Sequence, residues 1–107
     1  MILSITKIEL SSYSKLPAFF KFNGQIINEL KQSGCKKYKI TGSLNLKTWY
    51  TMTLWENEHD LHHFYTSGTH LEAMKQSKNF SSNIQSKRIE KDDLIDWKEA
   101  KKILSNK

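Results

Sequence analysis

Eight residues near the middle of the chain, Thr48-Trp-Tyr-Thr-Met-Thr-Leu-Trp55, alternate as a β-strand does but have no polar face. Successive strand side chains point to opposite sides, so Tyr50, Met52 and Leu54 share one face while Trp49, Thr51, Thr53 and Trp55 share the other. Leaving either row in water is costly, so such a strand belongs in a sheet that is covered on both sides. The cover must come from a chain of 107 residues, 37% hydrophobic and 26% charged, which suffices for one modest core and not for two. We therefore expect a single domain spanning residues 1–107.

The flanking segments supply the other elements. Residues 2–10 read as a strand in which Leu3 and Ile5 keep one phase and Ile8 and Leu10 the other, so it is buried on both faces or bulged. Ser12 or Ser14 can cap a helix with Leu16, Phe19, Phe20, Ile26, Ile27 and Leu30 at three-to-four spacing, Pro17 in its first turn and Gly34 as its stop. Residues 36–44 form the next strand, with Gly42 marking a bulge or a close approach, and Asn45-Leu-Lys47 turns it into the strand 48–55. Asn57 and Asp60 resemble a capping box that opens a helix through Leu61, Phe64 and Tyr65. Thr69 and Glu72 repeat the device, so this helix breaks near Ser67-Gly68 and restarts through Leu71 and Met74. Residues 83–90 make a thinner strand near a sheet edge, and Asp92 or Asp93 caps a C-terminal helix carrying Leu94, Trp97, Ile103 and Leu104.

The order β-α-β-β-α-β, followed by a terminal α, is that of an α+β ferredoxin-like plait, with two helices on one face of a four-stranded antiparallel sheet. We expect the open face to carry Trp49, Thr51, Thr53 and Trp55, an apolar patch that a second copy would bury, giving a homodimeric α/β barrel. A pocket for a small hydrophobic or aromatic molecule then lies between each sheet and its own helices, lined by Phe20, Tyr50, Met52 and Phe64.

Charge and composition exclude other classes. The net charge of +6 comes from 17 basic residues, of which only Arg88 is arginine, and the lysines are spread over several elements. Phosphate and base edges are read best by the guanidinium fork, and the first strand lacks the stacking aromatic of an RNA-recognition motif, so no nucleic-acid partner is expected. Cys35 stands alone, which excludes an internal disulfide and a Cys-x-x-Cys metal site and suits a reducing cytoplasm. Lys7 and Glu9 interrupt the N-terminus too early for a signal peptide, and no apolar run approaches the ~20 residues of a membrane span, so a cytoplasmic protein without a membrane partner is expected. His59 and His63 share a helical face beside His62, but no third ligand is evident; the cluster is read as a polar helix surface, and no metal is expected.

The segment Trp49-Tyr-Thr-Met-Thr-Leu-Trp55-Glu-Asn, followed by Leu61, Phe64, Ser67-Gly68, His70 and Ala73-Met74, resembles the dimeric α/β-barrel proteins related to antibiotic-biosynthesis monooxygenases. The likeness covers residues 47–75, and the rest of the chain by element order alone. It implies oxidation without metal, flavin or other cofactor. An electron-rich phenol or quinol in an apolar pocket itself reduces oxygen, while the protein supplies a base, polar groups that stabilise the anion, and a dry cavity. On this resemblance His70 is the candidate base, and Tyr50, Trp55 and Tyr65 are pocket walls or hydrogen-bond partners. The alternative on the same fold is non-catalytic binding or sensing of a small hydrophobic metabolite. The haem-degrading branch of that superfamily uses an Asn in the first strand, a Trp in the second helix and an axial His ten residues later. Here Ile2 to Leu10 holds no Asn, Phe64 stands in the Trp position and Met74 in the His position, so that activity is not implied and Met74 is left as a side chain of the pocket.

Overall fold

A computed structural model describes residues 1–43, 46–66, 75 and 81–105. The N-terminal β-branched and aliphatic run forms β1 (Ile2–Leu10), and a 3-10 turn (Tyr13–Lys15) leads into α1 (Leu16–Gln32). β2 (Cys35–Gly42) and β3 (Thr48–Trp55) make the hairpin, followed by α2 (Glu58–Tyr65), β4 (Ser81–Glu90) and α3 (Trp97–Ser105). The four strands are antiparallel in the order β2-β3-β1-β4, the ferredoxin-like arrangement, with β4 at an edge. No described helix is long and apolar enough to cross a membrane.

Local signals held where a side chain can act alone and moved where packing competes. The Asn57 carboxamide oxygen accepts from the Asp60 backbone N–H at 2.9 Å, the expected cap of α2. At α1 neither serine caps the helix: the Ser12 and Ser14 hydroxyls bond each other at 2.7 Å, and Pro17 starts the helix by its fixed φ. Its end is set by Ser33 rather than Gly34. The Ser33 hydroxyl donates to the Leu30 carbonyl at 2.8 Å and accepts from the Cys35 N–H at 3.2 Å. Likewise α3 is capped by Asp96, which accepts from the Glu99 N–H at 2.8 Å, and not by Asp92 or Asp93. Gly42 is a close approach: a Cβ there would lie 2.8 Å from the Trp49 ring. The irregularity in β2 falls instead between Cys35 and Lys37. For β1 both alternatives apply, since the strand is central and its pairing with β4 shifts between Glu9 and Leu10. The proposed restart of the second helix, from Ser67 to Met74, lies outside the described residues.

The two sheet faces are assigned the other way round from the sequence expectation. Trp49, Thr51, Thr53 and Trp55 lie under α1 and α2, where Trp49 packs with Phe19 and Phe22, and Trp55 with Leu30, Leu61 and Phe64. These side chains are covered by their own chain, so they are not the open face through which a second copy was expected to pack. The opposite row is covered too. Leu3, Ile5, Met52 and Leu54 pack against Ala100 and Leu104 of α3, with Tyr50, Ile89 and Trp97 around them. Alternation along β3 shows that both rows must be buried, but not which helix buries which row.

Candidate functional site

Between the sheet and the α1–α2 layer lies a cavity of about 100 Å³. Its roof and walls are apolar: Phe22, Ile26 and Leu30 come down from α1 at helical spacing, Phe64 comes from α2, and Ile8 and Ile84 rise from the sheet. Its floor carries hydroxyls. Thr51, Thr6 and Ser86 are directly paired across β3, β1 and β4, which sets them about 4.8 Å apart from strand to strand. The next row on the same face is Thr53, Ser4 and Arg88. There the Ser4 hydroxyl bonds the Tyr65 phenol at 3.2 Å, and Thr53 accepts from the Trp55 indole N–H at 2.9 Å. The Arg88 guanidinium stands 5.4 Å from the Tyr65 ring centre, a cation–π contact that holds the phenol at the rim.

This geometry suits a small, flat, neutral molecule with one or two polar substituents. An engineered apolar cavity of ~150 Å³ is enough to hold benzene, so a space of about 100 Å³ that opens to solvent takes one edge of an aromatic ring and leaves the rest at the mouth. The described lining holds Asn23, Tyr65, threonines and a serine, with no carboxylate or imidazole. Neutral donors and acceptors in a low-dielectric pocket orient a ligand without paying for a buried charge. A second cavity of about 240 Å³, bounded by Lys7, Tyr50, Gln85 and Lys101, sits on the α3 side and is polar.

The predicted site residues separate into groups. Phe64 and Tyr65 line the cavity. Trp55 is fully buried behind Phe64, with ring centres 5.2 Å apart, and supports the wall rather than forming it. Tyr50 and Met52 face α3 on the other side of the sheet, and Phe20 is 53% exposed, so these three are not cavity residues. His70 and Met74 lie outside the described residues. His59, His62 and His63 point to solvent from α2, and among the described residues no group of His, Cys, Asp and Glu is placed to hold a metal ion. Cys35 packs against the Leu30–Trp55 cluster, and burial pushes its thiol above the ordinary value of 9.0, which disfavours the thiolate.

The floor hydroxyls were missed by sequence reasoning, although their signal was present. Thr51, Thr53 and Thr6 break an otherwise apolar face at strand period, and a hydroxyl on a covered face must find a partner or line a space. Glu29 was missed in the same way. It continues the α1 stripe of Phe22 and Ile26 at helical spacing, and both its carboxylate oxygens are buried without a hydrogen-bond partner among the described residues.

Neither a family model nor a curated protein matches the sequence. Solved structures do match the backbone. A protein of Deinococcus radiodurans named a "putative antibiotic biosynthesis monooxygenase" superposes with a TM-score of 0.78 at 16% identity, covering 90% of this chain and 97% of that one. One of the same name from Nitrosomonas europaea gives 0.75 at 10% identity over 87% and 100%. A conserved protein of Methanosarcina mazei gives 0.77 at 17% identity over 84% and 91%. The chain shares the ferredoxin-like fold of these proteins. Nearly the full length of each neighbour is spanned. At these identities it is a likeness of fold, and the chemistry of the cavity is set by its own lining.

Proposed function

We propose that the cavity under α1 and α2 binds a small aromatic molecule of the phenol or quinol type, and that the protein promotes its oxidation by molecular oxygen without a cofactor. The observation that carries this reading is the combination of an apolar roof with a hydroxyl floor. Such a pocket keeps water from the ring edge it encloses while meeting the oxygen substituents there. The names of the two neighbours quoted above support the same chemistry. For a phenol, one oxygen atom of O2 enters the ring to give a quinone and the other leaves as water, with the substrate supplying the electrons. Thr6, Thr51 and Ser86 orient the ring oxygens, and Tyr65, held by Ser4, donates to the developing oxyanion. His70 is assigned the proton from the substrate hydroxyl, on the strength of the sequence resemblance and the near-neutral titration of imidazole.

The test has two parts. Calorimetric titration with 1-naphthol measures binding, and oxygen uptake with a quinol measures turnover. Thr51→Val keeps the shape and removes a floor hydroxyl, so naphthol affinity should fall by about fivefold, the worth of one neutral hydrogen bond. Wild-type protein that ignores naphthol sinks the site; an unchanged rate in His70→Ala removes His70 from the mechanism.

Non-catalytic binding of a hydrophobic metabolite is favoured by a separate observation: none of the described lining residues is a carboxylate or imidazole. Naphthol binding without oxygen uptake by any quinol would establish that second reading.

A further inference from the structure

Three large apolar side chains stand out in water among the described residues: Tyr13 is 55% exposed, Phe20 53% and Leu46 47%. They come from different elements and meet at one end of the molecule. The Lys47 ammonium lies 5.0 Å from the Tyr13 ring centre, and Phe20 stands edge-on to Trp49 at 5.6 Å. The Trp49 indole N–H donates to the Leu46 carbonyl at 2.8 Å, and the Leu10 N–H donates to the Lys47 carbonyl at 2.7 Å, which ties this turn to β1. Leu46 has a φ of 59°, the left-handed region that favours glycine or asparagine. Neither its backbone nor its exposure favours a leucine there.

Charge is lopsided around the patch. From Leu10 to Trp55 the only acidic residue is Glu29, and Glu9, which pairs with Thr48 beside the turn, is bonded to Lys7 at 2.9 Å, whereas Lys15, Lys21 and Lys47 stand within or beside the three apolar side chains in the chain. The patch offers apolar area and positive charge, and its indole N–H is already used internally. A lipid–water interface needs only the two things it offers: aromatic and aliphatic tips at headgroup depth and lysines against anionic headgroups.

We propose that this end of the protein docks on an anionic bilayer surface, with Tyr13, Phe20 and Leu46 inserted among the headgroups. Phe19 lies 6.0 Å from Phe20 and 5.1 Å from Trp49, ring centre to ring centre, and belongs with Ile8 and Phe22 to one apolar cluster. Apolar contact therefore runs unbroken from the docking patch to two residues of the cavity wall. The docking stands independently of what the cavity does with its ligand.

The test is co-sedimentation of the full chain with phosphatidylcholine vesicles, with and without phosphatidylserine. Pelleting is expected with the anionic vesicles alone and should be lost at high salt. Phe20→Ser should weaken it about tenfold, in line with the loss of one inserted aromatic side chain. Leu46→Gly separates docking from folding. It relieves the left-handed backbone, so thermal stability should hold or rise while vesicle affinity drops severalfold, the opposite of what a misfolded variant does. No pelleting at low salt, equal pelleting with neutral vesicles, or unchanged affinity in both variants overturns the proposal. So does light scattering that shows a dimer dissolved by Leu46→Gly, because the patch would then belong to a second copy.

Discussion

The two faces of the sheet are built from alternate residues of the same strands and do opposite jobs. Under α3 the centre of the row is aliphatic and tightly packed: Leu3, Ile5 and Met52 are 0% exposed and Leu54 1%, against Ala100 at 0%, and the cavity on this side is confined to its end, at Lys7, Tyr50, Gln85 and Lys101. Under α1 and α2 the row mixes Trp49 and Trp55 with Thr51 and Thr53, leaves a cavity, and keeps a buried carboxylate on Glu29 without a partner among the described residues. Close packing on one side supplies stability, and the other side can then carry polar groups and space that a core would not tolerate. The comparison teaches where to look for function in a small α+β protein: on the face where hydroxyls interrupt the apolar row beneath the helices, not on the one with the most apolar side chains.

Mutations can break or sharpen that contrast. The largest effect belongs to the α3 side. Leu54→Ala should cost about 3 kcal/mol in urea unfolding, the usual loss when a fully buried leucine is truncated, with naphthol affinity unchanged. A cost below about 1 kcal/mol would mean that α3 does not seal this face. On the other side the sign should reverse. Glu29→Leu replaces a buried carboxylate that has no partner among the described residues with an apolar side chain of similar size and should stabilise the protein by about 1–3 kcal/mol. Destabilisation would show that the carboxylate has a structural partner. Smaller still is Gly24→Ala on the outer surface of α1, where an added Cβ meets nothing within 4 Å. It should add about 0.5–1 kcal/mol of stability and leave both faces untouched, measured as a higher melting temperature.

The smallest expected effects are those of pH on the segment that ties α3 to the sheet. Lys37, bonded to the Asp93 carboxylate at 3.0 Å, and the Leu94 N–H hold that carboxyl below its ordinary 3.8. A depressed value in the folded state means that the contribution is present above 3.8 and is lost as pH falls through the folded value. The Met1 amino group, 3.0 Å from Glu90, is raised above its ordinary 8.0, so its contribution is present below 8.0 and is lost as pH rises through the folded value. Both groups are on the surface, where ion pairs are worth little. Thermal melts of Asp93→Asn should therefore differ from wild type slightly at neutral pH and converge with it as pH falls below the folded value of the carboxyl. A gap that persists there would mean that Asp93 acts through more than its charge.

Much of this was legible from residue order. The strand and helix periods, the cap at Asn57, the close approach at Gly42 and the edge position of the last strand can each be read from a few adjacent residues, because each is a local effect. The caps of α1 and α3 were not legible in the same way. Ser12, Ser14, Asp92 and Asp93 are all competent caps, and which one is used depends on where the chain enters the packed layer. Of the candidate cavity residues, Phe64 and Tyr65 were reachable because a short capped helix has one buried stripe. Tyr50, Met52 and Phe20 were misplaced because a strand of period two defines two rows without labelling them, and because a helix stripe drawn through both Phe19 and Phe20 is wider than the surface it covers.

By itself the sequence determined the element order, and with it the plait, together with the requirement that β3 be covered on both faces. Both are properties of hydrophobic period and turn chemistry, which act over a few residues. Only the tertiary structure decided that α3 seals the Tyr50–Met52–Leu54 row, that α1 and α2 roof the Trp49–Thr51–Thr53–Trp55 row, and that a hydroxyl-floored cavity forms under that roof. The physical reason is that apolar burial is non-directional: either row gains by being covered, and the choice is made by how helices of fixed length and exit angle reach across a twisted sheet.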